Sequence, residues 1–295
     1  MPEPSPSTRF LQAEAHAKIN AGLHVLRRRP DGFHDLDTVF LRIGWADTLT
    51  LRPAPTLVLT CSDPTLPTDE GNLCMRAAQR FTEHFGVTGG VAIHLEKRLP
   101  YGAGLGGGSS DAAATLNLLA KWHGVEAKAH ELHTLAAALG SDVPFFLGTD
   151  AARGTGRGTD LTPLVHPEGS AYRLPHALVV AVPDVHSSTA EAYAGITPNA
   201  VGRANLAEVV TSNDLGRWRR ELVNDFEPAL IAQYPAIGAV KHALLRAGAG
   251  YAAMSGSGSA VFGVFTSPAA AAAAANALRQ PGIQVWTDAP EAAPA

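Results

Sequence analysis

The first half of the chain alternates strand patterns with helical ones. Val91, Ile93 and Leu95 are separated by single residues, which predicts a half-buried strand. Apolar residues return at helical spacing in two later stretches, and Gly140 is the predicted stop of the second. The other predicted strands are residues 39–43, 48–51 and 57–60, and the two helices are predicted to begin near residues 112 and 132.

The second half predicts a similar succession of elements. Residues 177–182 are wholly apolar and end at Pro183, as a buried strand does, and residues 260–265 follow a glycine-rich turn. Helical patterns lie at residues 188–194, 206–210 and 237–247, and a stretch rich in Gly, Thr and Pro at 153–171 separates the halves. The pattern predicts an α+β fold in two lobes, with mixed sheets packed with helices. We expect an N-terminal domain at 9–165 and a C-terminal domain at 166–290.

Composition and charge exclude several classes of protein. The 295 residues are 46% hydrophobic and 17% charged, which is typical of a folded chain with a substantial core. The formal net charge of -4 argues against a general binder of nucleic acid or of membrane surfaces. Two cysteines indicate a reducing compartment, and we find no apolar run of the roughly 18 residues that a membrane span needs. We therefore expect a cytoplasmic protein, a monomer or weak homodimer, that binds no nucleic acid or membrane.

Residues 100–111 carry the clearest chemical signal. Five of the seven residues at 102–108 are glycine, which destabilises a fold unless the backbone needs left-handed angles or a ligand approaches closely. A predicted strand precedes this turn and a helix follows it, so backbone N–H groups, the hydroxyls of Ser109 and Ser110 and the positive end of the helix dipole converge there. Asp111 completes the expected first helical turn. The segment predicts a site for a polyphosphate.

Other interpretations of this segment account for less of it. An ordinary tight turn with a Ser or Asp cap needs one or two special residues, far fewer than are present. The Walker A pattern is absent, because no G-K-[ST] follows the glycines. A dinucleotide fingerprint would need an acidic residue about 20 positions further on, beyond a strand. The glycine turn alone predicts phosphate binding and leaves the reaction open.

The sequence P-Y-G-A-G-L-G-G-G-S-S-D-A-A-A resembles the phosphate loop of the GHMP kinases, a family that includes galactokinase, homoserine kinase and mevalonate kinase. Other segments are similar to the members of that family whose acceptor is 4-diphosphocytidyl-2-C-methyl-D-erythritol. They are A-K-I-N at 17–20, R-P-D-G-F-H at 29–34, K-R-L-P at 97–100, G-S-D-V-P-F-F at 140–146 and N-D-F-E at 224–227. The resemblance implies the GHMP-kinase fold with an active site between the lobes. It also implies ATP as phosphoryl donor, Mg²⁺, and a cytidine-diphosphate-linked polyol as acceptor.

The resemblance assigns the catalytic pair. The aspartate of G-x-D-V-P-F is the family's acid/base residue, which corresponds to Asp142, whereas the residue pattern alone leaves a helix cap equally open. Lys18 matches a lysine that sits beside that aspartate, although a lone lysine is usually solvated. In this role Lys18 would keep Asp142 ionised or stabilise charge on the moving phosphoryl group.

The acceptor residues follow in the same way. Asp31 and Gly32 predict a β-turn from which Phe33 and His34 project, and an aromatic face beside an imidazole suits a nucleobase. The resemblance places the cytosine there, and it implies Tyr193 at the other face of the base. The family commonly has tyrosine where this chain has Phe33, which removes a hydroxyl and keeps the stacking surface. The other implied acceptor contacts are Asn20, at the methylerythritol end, and Thr189.

The resemblance also implies the residues that bind ATP. Lys97 and Asn72 match positions near the adenine, while their ordinary roles would be a solvated lysine and a helix cap. Ser109 or Ser110 would reach Mg²⁺ or a phosphate, and the sequence does not choose between them. The loop residues assigned to the phosphates are Pro100, Tyr101, Gly102, Ala103, Gly104, Leu105, Gly106, Gly107, Gly108, Ser109 and Ser110.

The leading hypothesis is therefore phosphorylation of the 2-hydroxyl of 4-diphosphocytidyl-2-C-methyl-D-erythritol, a step of the non-mevalonate isoprenoid route. Its nearest rival is another GHMP kinase that acts on homoserine, mevalonate or a sugar. Phe33 and His34 discriminate between them, because those acceptors carry no base to stack. A non-catalytic nucleotide-binding module is the rival from another class, and the presence of both Lys18 and Asp142 speaks against it.

Overall fold

A computed structural model describes residues 9–166 and 168–289. The chain divides into two compact units. Of the described residues, the first comprises 9–17, Ala46–Leu99 and Gly107–Gly148, and the second comprises Lys18–Trp45, Pro100–Gly106, 149–166 and 168–289. Among the described residues, none of the helices has the length and apolar character needed to cross a membrane. The division near residue 165 stays a prediction.

The first unit combines helices with part of a sheet. Strand β3 (Val58–Cys61) pairs in parallel with β4 (Gly90–Glu96), and β4 pairs antiparallel with residues 48–54 of β2 (His34–Ala54). Helix α1 (Leu73–Phe85) begins at its cap Asn72 and ends at Gly86, whose φ of 60° is left-handed. The other helical segments are α2 (Gly107–His123), α3 (Ala129–Leu139) and a 3₁₀ helix (Val143–Leu147).

The second unit contains a hairpin and a separate sheet. Residues 36–41 of β2 pair with β5 (Ala151–Gly156), which pairs with β6 (Asp160–Pro163). The other sheet has the order β10-β7-β9-β8 and is antiparallel throughout. Its strands are β7 (Ala177–Pro183), β8 (Tyr251–Met254), β9 (Val261–Phe265) and β10 (Ile283–Thr287). The helices of the second unit are α4 (Thr189–Ala194), α5 (Leu206–Thr211), α6 (Leu215–Glu221), α7 (Glu227–Gln233), α8 (Pro235–Arg246) and α9 (Pro268–Leu278).

The structure confirms the mixed fold with two sheets and corrects several elements. The predicted strands 39–43 and 48–51 are parts of one strand, β2. Strand β1 (Leu11–Arg28), which pairs with β2, has no clear pattern, because its buried stretch 17–25 includes polar residues such as Lys18 and Asn20. The Gly-, Thr- and Pro-rich stretch 153–171, which the sequence predicts to separate the two halves, contains most of the β5–β6 hairpin.

Candidate active site

The glycine turn adopts the backbone that its composition predicts. Gly102, Gly104 and Gly106 have φ angles of 70°, 83° and 71°, which only glycine adopts readily. The two residues between them, Ala103 and Leu105, are buried with 2% and 1% exposure and anchor the turn. The turn is therefore anchored by two buried apolar side chains while its glycines supply the left-handed angles.

A second cause of the glycine content lies in the turn at 254–259. A β-carbon on Gly104 would lie 2.1 Å from the carbonyl oxygen of Ser255, and one on Gly258 would lie 2.1 Å from the carbonyl carbon of Ala103. Ser255 Oγ donates to the Gly104 carbonyl at 3.0 Å, and Ala260 N donates to the Ala103 carbonyl at 3.0 Å. The two glycine turns thus pack backbone against backbone.

Helix α2 begins at Gly107, earlier than expected. Ser109 and Ser110 lie in its first turn, and Asp111 lies one residue beyond that turn, which corrects the predicted position of this carboxylate. Ser110 is buried with 1% exposure, whereas Ser109 is half-buried. Ser109 is therefore the more accessible of the two candidate hydroxyls.

Lys18 and Asn20 lie next to each other on β1 and are almost fully buried. Lys18 Nζ donates to Asn20 Oδ1 at 2.6 Å and to the Gly104 carbonyl at 2.9 Å. Asn20 Nδ2 donates to Thr38 Oγ1 at 2.9 Å, and its backbone N–H donates to Ser255 Oγ at 3.2 Å. The predicted catalytic lysine is thus hydrogen-bonded directly to the glycine turn at residues 100–111, which we call the phosphate turn.

Asp142 lies in the first unit, immediately before the 3₁₀ helix. Its side chain makes no capping hydrogen bond to that helix, and Pro144 lies in the first helical positions. The helix-cap role that the sequence left open is therefore not the role of this carboxylate. Its pairing with Lys18 stays a prediction.

The turn that carries Phe33 is tight. Gly32 N donates to the Arg29 carbonyl at 3.1 Å, Gly32 has a φ of 86°, and Phe33 N donates to Asp31 Oδ1 at 3.1 Å. This confirms the predicted β-turn between β1 and β2. The ring of Phe33 is 50% exposed. The guanidinium carbon of Arg157 lies 3.7 Å from the ring centroid, a cation–π contact that the sequence did not reveal.

His34 and Tyr193 come together as a stacked pair. Their ring centroids are 4.7 Å apart with an interplanar angle of 18°. Tyr193 also meets Phe226 edge-on at 4.9 Å, which fixes the tyrosine ring from a second side. Thr189 is the first residue of α4, and its hydroxyl lies 3.1 Å from Ser257 Oγ. Three of the predicted acceptor residues thus lie on α4 or directly against it.

Asn72 and Lys97 have clear structural roles. Asn72 Oδ1 accepts from Cys74 N at 2.9 Å, so this residue caps α1. Lys97 Nζ is bound between the carboxylates of Asp47 and Asp111, at 3.0 Å from Asp111 Oδ2. Because both polar side chains are engaged within the first unit, any contact to adenine would have to add to these bonds or replace one of them.

The Asp47–Lys97–Asp111 triad is a buried charge cluster beside the ends of the glycine turn. Asp47 Oδ1 also accepts the backbone N–H groups of Arg98 and Leu99, at 2.5 and 2.8 Å. Burial, with the nearby Asp47 charge, raises the pKa of Asp111 to about 7 against the opposing effect of Lys97. Burial lowers the pKa of Lys97, but the two carboxylates outweigh it and raise that pKa overall. The positions of these three residues along the chain do not predict that they meet.

Comparisons with known proteins agree on one family. The family model for the GHMP kinases N terminal domain matches residues 72–149, and that for GHMP kinases C terminal matches 204–284. A 4-diphosphocytidyl-2-C-methyl-D-erythritol kinase of Salinibacter ruber is 52% identical over 270 residues, covering 91% of this chain and 95% of the relative. A crystal structure of 4-(cytidine 5'-diphospho)-2C-methyl-D-erythritol kinase has a TM-score of 0.80 at 37% identity and covers 94% of this chain and 98% of its own. A homoserine kinase from Cytophaga hutchinsonii has a TM-score of 0.75 at 22% identity, covers 97% and 96%, and shares the fold.

Proposed function

Because this chain belongs to the 4-diphosphocytidyl-2-C-methyl-D-erythritol kinases of the GHMP kinase family, we propose that it transfers the γ-phosphate of ATP to the 2-hydroxyl of 4-diphosphocytidyl-2-C-methyl-D-erythritol. The products are ADP and the 2-phosphate of the acceptor, in the methylerythritol phosphate route to isoprenoid precursors. The observation that carries the proposal is the aromatic group formed by the side chains of Phe33, His34 and Tyr193. Phe33 offers an exposed ring, and His34 lies beside it, stacked on Tyr193.

This aromatic group suits a cytosine better than it suits a small polyol or an amino acid. A base can stack on the exposed face of Phe33 and can be read at its edge by the imidazole of His34. Arg157 already occupies one face of Phe33 and adds positive charge near the base. That charge favours an acceptor that carries a diphosphate. Homoserine and mevalonate would leave this surface unused.

The catalytic roles follow from the chemistry of phosphoryl transfer. The reaction needs a positioned nucleophile and neutralised charge, with little covalent help from the protein. Asp142 would accept the proton of the attacking hydroxyl, and Lys18, bonded to the Gly104 carbonyl, would stabilise negative charge on the transferred group. Asn20, held by Lys18 and Thr38, would orient the methylerythritol end.

A magnesium ion fits the residues of the first helical turn. Mg²⁺ in such sites keeps several waters and takes substrate phosphates with one or two protein oxygens. The accessible hydroxyl of Ser109 meets this requirement. Within the described residues, side chains of His, Cys, Asp and Glu form no cluster of three suited to a metal, so a site completed by ATP is the form that fits. When bound, the ion would neutralise charge between the phosphate groups.

An acceptor-dependent ATPase measurement tests the proposal. Purified protein is incubated with ATP, Mg²⁺ and the proposed acceptor, and ADP release is followed with a coupled enzyme assay while ³¹P NMR identifies the new phosphomonoester. Homoserine and mevalonate, tested in parallel, separate the rival GHMP activities. We expect turnover of ATP with the cytidine-bearing acceptor and none with homoserine or mevalonate. Folded protein that releases no ADP in response to that acceptor would refute the proposal.

A further inference from the structure

Residues 186–193 contact three parts of the second unit that belong to different steps of the proposed reaction. This segment contacts the phosphate turn at one end and the second glycine turn, residues 254–259, in its middle. At its other end it contributes Tyr193 to the base-binding pair, which is His34 and Tyr193. We infer that Ser187 and Ser257 are positioning residues that couple occupancy of the acceptor base site to the phosphate turn. The inference rests on the proposed function, because it takes the cytidine group as the ligand of the pair His34 and Tyr193.

The first contact joins the segment to the phosphate turn. A β-carbon on Gly102 would lie 2.8 Å from Cε1 and 3.1 Å from Nδ1 of His186. The imidazole therefore packs directly on the backbone of the turn, at a residue whose φ is 70°. A displacement of the exposed His186 ring toward Gly102 would therefore push on this part of the turn, because no side chain lies between them.

Two hydroxyl contacts join the segment to the second glycine turn. Ser187 is buried with 3% exposure, and its Oγ donates to the Ser257 carbonyl at 3.1 Å. Two residues later, Thr189 Oγ1 lies 3.1 Å from Ser257 Oγ. Ser257 is thus held through its backbone by Ser187 and through its side chain by Thr189.

The second glycine turn has no freedom to move independently of the phosphate turn. The backbones of Gly104 and Gly258 meet so closely that neither residue could carry a side chain. Ser255 Oγ bonds the Gly104 carbonyl, to which Lys18 Nζ also donates. A shift of Ser257 is therefore passed to the carbonyl that the proposed catalytic lysine uses.

Helix α4 joins these contacts to the base-binding pair. Its capping box, in which Ser188 and Glu191 bond each other's backbone N–H groups, fixes the first turn of the helix. Tyr193 projects from the next turn and stacks on His34. A base that binds against this pair therefore acts on a short, capped helix whose first residues hold Ser257.

Coupling of this kind is reciprocal. If the cytidine group tightens binding of the ATP phosphates, ATP must tighten binding of the cytidine group by the same factor. Typical coupling corresponds to a factor of about 5 to 150 in affinity. Ser187 and Ser257 are not among the residues assigned to either ligand, so loss of their hydroxyls should reduce the factor and spare each separate affinity.

Isothermal titration calorimetry on the full chain measures this factor. Cytidine diphosphate and the β,γ-imido analogue of ATP are titrated singly, and then each into protein saturated with the other. For the unaltered chain we expect the second ligand to bind about 5-fold tighter or more. In the double variant Ser187→Ala with Ser257→Ala, we expect a factor below about 2, with each single-ligand Kd within about 3-fold of the unaltered value.

Two further variants keep the test decisive. Ser257→Ala alone removes one partly exposed hydroxyl and should lower the factor measurably even if the double variant does not fold, and Ser257→Thr should restore it. Ser267→Ala is the matched control, because its hydroxyl caps the distant helix α9 and its loss should affect stability only. A factor that is unchanged in Ser257→Ala, or that is near one in the unaltered chain, overturns the coupling alone. Failure of the unaltered chain to bind cytidine diphosphate would overturn the proposed function and the coupling with it.

Discussion

Replacement of Lys97 by methionine tests the buried triad beside the phosphate turn. The side chains of Lys97, Asp47 and Asp111 are 8%, 0% and 4% exposed, so solvent screens their charges little. At 3.0 Å and an effective dielectric constant of about 20, one such pair contributes about 5 kcal/mol of Coulomb energy before desolvation. Breaking a buried pair by removing one partner costs about 3 to 5 kcal/mol, because a charge stays buried without compensation. We expect Lys97→Met to lower the free energy of unfolding by about 3 to 5 kcal/mol near neutral pH.

The loss should depend on pH in a direction that the triad fixes. Lys97 opposes the rise in the pKa of Asp111, so its removal leaves that carboxyl still easier to protonate in the folded state. A protonated Asp111 needs no counter-ion. The difference between Lys97→Met and the unaltered chain should therefore be largest at about pH 8 and should shrink at about pH 5.5.

Urea unfolding, followed by tryptophan fluorescence at both pH values, measures these differences. Lys121→Met is the matched control, since Lys121 is an exposed residue of α2, and we expect its effect to stay within about 0.5 kcal/mol. An unfolding free energy for Lys97→Met within about 1 kcal/mol of the unaltered chain at pH 8, with the same denaturant slope, would show that the triad does not carry this energy.

The remaining predictions concern the proposed catalytic residue Asp142, the phosphate turn, the base site and the buried triad. Asp142→Asn should lower turnover by at least about a hundredfold while ATP binding persists, as expected for loss of a general base, and near-normal turnover would remove Asp142 from that role. Gly104→Ala should unfold at much lower urea than Gly108→Ala, because a β-carbon would lie 2.1 Å from backbone at the first and 3.6 Å from a side chain at the second; equal stabilities would contradict the packing of the two turns. Arg157→Ala should raise the KM of the cytidine-bearing acceptor and leave that of ATP unchanged, and an equal rise in both would contradict its contact with the base site. Asp111→Asn should flatten the pH profile of stability: the unaltered carboxyl binds its proton more tightly when folded, so unfolding free energy should fall as pH rises from its ordinary pKa of 3.8 to about 7. A slope unchanged in that variant would assign the effect to other groups.

Local patterns predicted those elements whose residues respond only to their neighbours along the chain. Strand β4 shows its alternation because one face is buried and the other is half-exposed. Helix α3 ends where its glycine predicted, since Gly140 follows directly on its last residue. The β-turn at residues 29–33 could also be predicted from the sequence, because a turn needs only a few consecutive residues of fixed type.

Contacts between distant segments left no such trace. Lys97 is drawn to Asp47 and Asp111, and nothing in the spacing of these residues along the chain indicates that they meet. Arg157 reaches Phe33 from the β5–β6 hairpin, in the stretch whose composition predicted a boundary between the two halves. Polar residues buried within β1 removed the periodicity that would have identified the strand, and these residues include the two assigned to the site, Lys18 and Asn20. The sequence pattern failed in β1 where polar side chains predicted to belong to the site replace apolar ones.

The glycines of the phosphate turn have different physical causes, and this bears on how such turns are interpreted. Gly104 must lack a side chain because the backbone of Ser255 packs on it, whereas at Gly102 the φ of 70° favours glycine and a β-carbon would meet only the exposed side chain of His186. Gly108 has room for a β-carbon, with its nearest neighbour at 3.6 Å, and no left-handed φ requires glycine there. Close approach of a ligand to the start of α2 is the cause that we expect at this position. A glycine count therefore overstates the signal for phosphate, which comes only from those glycines that the fold itself does not need.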